Sequence, residues 1–286
     1  MANEFSLTDL VPDGEPITVL DVGAMAVGSS KAAYAPLYDF ENLKVIGFEP
    51  DETECAKLNE NSDGRFRFYP YFAGDGAKVT YFETNMTMTG SLYEPNTALL
   101  EKFQNLAELT TVVGTHPVDT VRIDDVEDLD DVDLFKIDVQ GAELKIFENA
   151  MRVLSKTTVV HTEVEFVEMY KGQPLFADVD GFLRSQGFQF HTIPNYGSRC
   201  FKPLTAGGNI NKGLNQRLWA DVVYVRDFMA LDALSTEKLI KMAVILNDVY
   251  QSFDLCYVIL EAADKKTGGA SAKDYLGRLA AAAGGI

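Results

Sequence analysis

Basic residues are scarce in this sequence. The 286 residues include 25 Lys and Arg against 43 Asp and Glu, which gives a formal net charge of -18. A chain with this charge is repelled by nucleic-acid phosphates and by anionic membrane surfaces. We therefore expect neither a nucleic acid nor a membrane as its partner.

Cysteines and long apolar runs are also few. Cys55, Cys200 and Cys256 lie far apart and form no CxxC pair, which argues against a disulfide framework and a zinc site. No signal-peptide pattern opens the chain, and no run of about 18 apolar residues occurs in it. These absences predict a cytoplasmic protein.

The overall composition is that of a folded protein. Apolar residues make up 47% and charged residues 24% of the chain, which excludes collagen, coiled coil and global disorder. The length fits one α/β domain with an appendage. We predict a main domain over residues 1–228 and a helical C-terminal extension over residues 229–286.

Short β-branched segments alternate with helical patterns, as in a parallel sheet covered on both faces. Strands are predicted at residues 17–22, 44–49, 65–72, 132–138, 158–163, 188–193 and 218–225. Helices are predicted at residues 51–59, 141–151, 175–186, 235–263 and 271–283. A short hairpin is expected after the third strand, and residues 194–217 are expected to form a loop over the active site.

The first predicted strand ends in an acidic residue and a glycine, Asp21 and Gly23. Ligands bind at such strand ends in open α/β sheets. The dinucleotide pattern GxGxxG is absent, and a carboxylate ahead of the glycine repels a pyrophosphate but suits a cationic ligand. The motif therefore favours S-adenosylmethionine over NAD, with an ordinary strand-to-helix turn as the alternative.

The second predicted strand ends in Glu49, which is followed by Pro50 and Asp51. A carboxylate in this place can accept hydrogen bonds from both hydroxyls of a ribose. A helix cap or a surface glutamate is the simpler explanation for Glu49 alone. Acidic residues at the ends of two successive strands together indicate an adenosine ligand.

The fourth predicted strand places Lys136 and Asp138 on one face, because side chains alternate along a strand. A lysine inside a sheet needs an ionic partner. We expect that partner to be Glu163 on the next strand, in a mainly structural ion pair. Asp138, at the carboxyl end, and His161 are the side chains expected to act on an acceptor as base or orienting group.

The sequence resembles the FkbM-type S-adenosylmethionine-dependent methyltransferases. The resemblance covers roughly residues 18–225 and rests on VLDVGA, GFEPD, the segment Gly90-Ser91-Leu92, DLFKIDVQGAE and TEVEF. It implies a class I methyltransferase fold, a Rossmann-like seven-stranded, mostly parallel sheet with an antiparallel last strand. It also implies O-methylation of a hydroxyl on a sugar or secondary metabolite.

The resemblance further implies residue roles. Asp21, Gly23 and Ala24 would contact the methionine part of the cofactor. Glu49 of the GFEPD motif would bind the ribose, with Pro50 beside it as a further cofactor-binding residue. The adenine edge would meet three residues after the third strand: Ala73, Gly74 and Asp75. Asp138 and Gln140 would border the transferred methyl group, and Ser91 is a further cofactor-binding candidate. Lys136 joins Asp138 and His161 as a catalytic candidate.

One departure from the family pattern concerns the loop after the first strand. The family commonly has D-V-G-A-N-x-G, whereas Met25 replaces the asparagine here and Gly28 comes one residue late. A methyltransferase-like binding module without catalysis is therefore an alternative, and a nicotinamide-dependent oxidoreductase is a weaker one. No metal site is predicted, although Asp138 stands where a magnesium ligand would lie. A homo-oligomer through the C-terminal helices is also expected.

Overall fold

The computed structural model describes residues 5–24, 32–60 and 62–282. Its central sheet has the strand order β3-β2-β1-β7-β8-β10-β9. These strands are β1 Ile17–Val22, β2 Leu43–Phe48, β3 Phe66–Tyr69, β7 Leu134–Ile137, β8 Val159–Glu165, β9 Phe188–Gly197 and β10 Trp219–Arg226. Only β10 in this sheet runs antiparallel to its neighbours. This is the class I methyltransferase sheet that the resemblance implied.

A small second sheet consists of β4, β5 and β6, which are Phe72–Ala73, Lys78–Thr84 and Val112–Val121. The predicted short hairpin is wrong in its connection, because residues 85–111 separate the two antiparallel strands β5 and β6. This connection contains the short helices α2 Thr97–Leu100 and α3 Leu106–Leu109.

One face of the central sheet packs against α4, α5 and α6, which are Glu143–Glu148, Met151–Lys156 and Phe176–Ser185. Leu20, Phe135 and Val160 point into this layer. The prediction of a single helix at residues 141–151 is wrong, because α4 ends at Glu148 and a separate helix, α5, begins at Met151. At the other end of the sheet, Asp51 caps α1 Glu52–Glu60 by accepting from the Glu54 N–H at 2.9 Å.

The opposite face is covered by α7, α8 and α9, which are Thr236–Val244, Phe253–Thr267 and Ser271–Ala282. Val19, Leu134 and Val159 of the sheet share one apolar core with these helices. The apolar residues of the C-terminal helices thus pack on the sheet of their own chain. Because the extension completes the core, the boundary near residue 228 marks no gap in packing.

The helix predicted at residues 235–263 is interrupted. A π-helical turn over Ile245–Val249 follows α7, and Gln251 has a left-handed φ of 52°. Asp248 lies in this turn, and its Oδ1 accepts from the Leu7 N–H at 3.1 Å. Within the described residues, no helix has the length and apolar character to cross a membrane.

Candidate functional site

The turn after β1 brings three strand ends together. Gly23 has a φ of +78°, and its N–H donates to the Phe48 carbonyl at the end of β2 at 3.0 Å. A Cβ at Gly23 would collide with the carbonyl oxygen of Asp138. Glycine is therefore required both by the backbone conformation and by the close approach of β7.

Asp21 and Lys136 form an ion pair beneath this turn. Lys136 Nζ lies 3.1 Å from Asp21 Oδ1 and donates to the Gly23 carbonyl, also at 3.1 Å. The Tyr34 hydroxyl donates to Asp21 Oδ2 at 2.8 Å. Burial alone lowers the pKa of Lys136, but the carboxylates of Asp21 and Asp138 outweigh it, so this pKa is raised. The lysine therefore carries its charge at neutral pH.

The predicted contact between Lys136 and Glu163 is wrong. The register of β7 and β8 sets Lys136 beside His161. The register of β1 and β7 sets it beside Asp21, which becomes its partner. The residue alternation correctly gave the face of the sheet, but it left open which neighbouring strand supplies the carboxylate.

Gln140 connects the groups beyond the end of β7. With a left-handed φ of 59°, it directs its Nε2 to Asp138 Oδ1 at 2.8 Å and to Glu163 Oε1 at 3.0 Å. The Tyr170 hydroxyl donates to Gln140 Oε1 at 3.0 Å, and Ser91 Oγ donates to the Gln140 carbonyl at 2.6 Å. Burial and the charge of Asp138 raise the pKa of Glu163 well above its usual range.

Sequence reasoning gave no role to Glu143 and Glu165, which adjoin this network. Glu143 accepts from the Val139 and Gly141 N–H groups at 2.9 and 3.0 Å and so fixes the turn after β7. Burial raises the pKa of both carboxyl groups. Across the described ranges, no set of three His, Cys, Asp or Glu residues is grouped to hold a metal ion.

Glu49 extends from the end of β2 and is only 2% exposed. Its Oε1 accepts from the Asp51 N–H at 2.9 Å, and within the described residues no donor is bonded to Oε2. Burial raises the pKa of Glu49 to about 7. A buried carboxyl with one unused oxygen fits a ligand that brings its own donors, as a ribose does. Pro50 then leads the chain into α1.

Tyr81 is a neighbour of Glu49 that no sequence pattern indicated. Its hydroxyl lies against Gly90, where a side chain would displace it. Burial raises the pKa of Tyr81, and the charges of Glu83 and Glu49 add to this effect. The phenol therefore stays protonated and can donate a hydrogen bond.

The predicted adenine-edge residues lie where β4 meets β6. Ala73 is buried, and the Gly74 N–H donates to the Val121 carbonyl at 2.9 Å. Asp75 Oδ2 lies 3.2 Å from Lys145 Nζ of α4. This segment is thus held by contacts to β6 and to the helix layer.

His161 lies away from the strand ends. Its Nδ1 is 3.1 Å from the Tyr250 hydroxyl, on the side of the sheet that faces the C-terminal helices. The ring is 7% exposed, and burial, with the charge of Lys136, lowers the pKa of His161 to about 4. The imidazole is therefore neutral at physiological pH.

The strand order, the glycine turn and acidic side chains at the ends of β1, β2 and β7 define a class I methyltransferase. A family model described as the methyltransferase FkbM domain matches residues 21–190. The match covers more than half of the chain, which belongs to this family. Its methyl donor is S-adenosylmethionine, which decides against the nicotinamide-dependent alternative.

Individual relatives share less than 30% sequence identity with the chain. The chain is 28% identical to the 2-O-methyltransferase NoeI of Sinorhizobium fredii over 194 residues, which are 61% of this chain and 74% of NoeI. A methyltransferase FkbM structure from Methylobacillus flagellatus aligns with 17% identity and a TM-score of 0.42. That alignment covers 73% of this chain and 43% of the other, so the chain matches less than half of that protein.

A second solved structure is the magnesium protoporphyrin IX methyltransferase from Synechocystis PCC 6803, which contains bound S-adenosylmethionine. It aligns with 12% identity and a TM-score of 0.38, over 74% of this chain and 71% of that chain.

The two positions that depart from the family pattern after the first strand, Met25 and Gly28, lie outside the described residues.

Proposed function

We propose that the chain transfers the methyl group of S-adenosylmethionine to a hydroxyl group of a sugar or secondary metabolite. The observation that carries the proposal is the position of Asp138, which follows β7 and touches the Gly23 turn. The name of the related 2-O-methyltransferase supports a hydroxyl acceptor at 28% identity.

The cofactor-binding residues that we propose follow the strand ends. Asp21, Gly23 and Ala24 would hold the methionine part, whereas Glu49, beside Pro50, would accept the ribose hydroxyls. The adenine edge would lie at Ala73, Gly74 and Asp75, and Ser91 and Gln140 would border the methyl group. Bound S-adenosylmethionine supplies an electrophilic methyl group on a positively charged sulfur.

Asp138 is the catalytic residue that we propose. Its carboxylate would orient the acceptor hydroxyl and take its proton, while Gln140 fixes Oδ1 through the 2.8 Å hydrogen bond. Lys136 and His161 are proposed as positioning residues. Lys136 lies two residues before Asp138 on β7, and His161 is its neighbour on β8. Lys136 supplies positive charge beside Asp21, and the neutral His161 ties β8 to Tyr250.

The proposal is tested by methyl transfer from labelled S-adenosylmethionine to a panel of hydroxylated acceptors, with products identified by mass spectrometry. Asp138→Asn should lower turnover about 10²- to 10⁴-fold without changing cofactor affinity or melting temperature. Asp119→Asn is the matched control, because that carboxylate is 83% exposed on β6. Full turnover by Asp138→Asn, or loss only through unfolding, contradicts the assignment. Cofactor binding by the unmodified protein without transfer to any acceptor would support the non-catalytic alternative.

We also propose a cytoplasmic location, which the three unpaired cysteines support. A homo-oligomer through the C-terminal helices stays a prediction. The apolar core residues of α7 and α8 are already buried against the sheet of one chain.

A further inference from the structure

The loop between β9 and β10 lines a half-open cavity of about 290 Å³. Its lining includes Arg199, Phe201, Leu204, Leu214, Asn215 and Gln216. The loop folds closely on itself, because Cys200 Sγ lies 3.4 Å from the Lys212 carbonyl and Gly213 packs against Ser198 where a Cβ would not fit. The cavity is therefore a built feature of the fold, near the lower end of the sizes of small-molecule sites.

The charge of this segment is opposite to that of the chain. Residues 181–220 contain no Asp or Glu, although the whole chain carries a net charge of -18. The same segment holds the cations Arg184, Arg199, Lys202, Lys212 and Arg217. Lys202 is neutralised by Glu108 at 2.7 Å, whereas Arg199 has no ion-pair partner within the described residues.

Arg199 is held in place but incompletely bonded. Its guanidinium lies 5.2 Å from the ring centre of Trp219, and its Nη1 donates to the Ser198 carbonyl at 2.9 Å. Its buried Nε has no hydrogen-bond partner in the described part of the chain, and burial lowers the pKa of Arg199. An unpaired buried donor is costly, and an anionic oxygen is the acceptor that best satisfies a guanidinium.

The cavity lies at the same edge of the sheet as the methyl-transfer site. Phe201 in its wall packs on Phe103 with ring centres 4.4 Å apart. Phe103 shares an apolar cluster with Tyr170, whose hydroxyl donates to Gln140 Oε1 at 3.0 Å. A short chain of side-chain contacts thus joins the cavity to the group that fixes Asp138.

We propose that this cavity binds the acceptor through an anionic group, a carboxylate or a phosphate, which pairs with Arg199. A ring of the acceptor would lie against Phe201 and Leu214. This inference rests on the proposed methyl transfer and names its substrate class. The carboxylates beyond β7 and β8 repel the anionic end, so the acceptor would enter with its hydroxyl group toward Asp138.

The test is calorimetry on the full chain with three matched probes. Phenyl β-D-glucoside is neutral, phenyl β-D-glucuronide carries a carboxylate, and phenyl β-D-glucoside 6-phosphate carries a phosphate. At least one charged probe should bind about 10-fold or more tightly than the neutral one. The comparison between the two charged probes shows which anion is preferred. Trp219, the single tryptophan of the chain, should change its fluorescence on binding.

Arg199→Gln should abolish the preference for the charged probes. Arg217→Gln is the matched control, because this arginine belongs to the same loop and lies 3.9 Å from the ring centre of Tyr196 of β9, but does not line the cavity. The proposal is overturned by equal affinity for charged and neutral probes, by no binding of either charged probe, by a preference that survives Arg199→Gln, or by one that Arg217→Gln removes. The anion site is tested by binding and methyl transfer is tested by turnover, so the two proposals can fail separately. A protein without methyl transfer could still prefer the charged probes, and a protein without that preference could still transfer methyl groups.

Discussion

Replacement of Glu49 tests the ribose assignment in the most quantitative way. The side chain is 2% exposed, and within the described residues its Oε2 has no protein donor, so a cofactor hydroxyl would meet an unused acceptor. A hydrogen bond to a charged acceptor contributes about 1.5–3 kcal/mol. Glu49→Ala should therefore weaken binding of S-adenosylmethionine by about 10- to 150-fold.

The same carboxyl gives binding a pH dependence. Burial raises its pKa from 4.5 to about 7, so the free protein holds Glu49 partly protonated at neutral pH. Ribose hydroxyls prefer the ionised form, so affinity should rise between about pH 6 and about pH 8 with release of a proton. Stability has the opposite sign: the contribution of a carboxyl with a raised folded-state pKa is complete below pH 4.5 and declines as the pH rises through about 7.

The assay is isothermal calorimetry in buffers of different ionisation enthalpy, together with urea unfolding at each pH. Glu49→Gln should flatten both pH profiles, whereas Glu52→Gln, an exposed position in the first turn of α1, should leave them unchanged. Unchanged cofactor affinity in a folded Glu49→Ala variant would refute the reasoning.

Three further predictions concern the framework of the site. Lys136→Met leaves Asp21 buried without its counter-charge and should lower the free energy of unfolding by about 3–5 kcal/mol in urea titrations. Gly23→Ala should abolish cofactor binding in calorimetry, because a Cβ collides with the carbonyl of Asp138. Removal of residues 229–286 should yield insoluble protein in a sedimentation assay, because it uncovers the apolar sheet residues that pack against α7 and α8.

Each of these has its own control and contrary result. Lys171→Met breaks an ion pair whose side chains are 55% and 51% exposed and should cost about 0–1 kcal/mol; an equal cost for Lys136→Met contradicts the buried pair. Gly14 also has a positive φ, but open space surrounds the position that a Cβ would take there, so Gly14→Ala should preserve cofactor binding. Equal binding by Gly23→Ala would oppose the steric argument. A monodisperse, equally stable truncation would show that the extension is dispensable.

Strand positions were predictable because buried parallel strands consist of continuous apolar runs. The residue run ITVLDV gave β1 with its observed bounds Ile17–Val22. Pairing between strands was not predictable to the same degree, because alternation fixes the face of a side chain but not its neighbour. Lys136 therefore received Glu163 as its predicted partner in place of Asp21.

Interruptions inside helices were not predictable from the sequence for a related reason. Apolar spacing over residues 235–263 continues through the π-helical turn, whereas Asp248 in that turn binds the distant Leu7 N–H, a contact that spacing does not predict. The conformation and hydrogen bonds of Gln140 were similarly not predictable, because its left-handed φ and its link between Asp138 and Glu163 arise only when two strand ends meet.

The most direct test of the proposed site is a crystal structure of the full chain with S-adenosylhomocysteine. We predict ribose hydroxyl oxygens within about 2.5–3.0 Å of the Glu49 carboxylate. The sulfur should lie over the Gly23 turn and point toward Asp138. A nucleoside that touches neither Glu49 nor the Gly23 turn would contradict the proposed site.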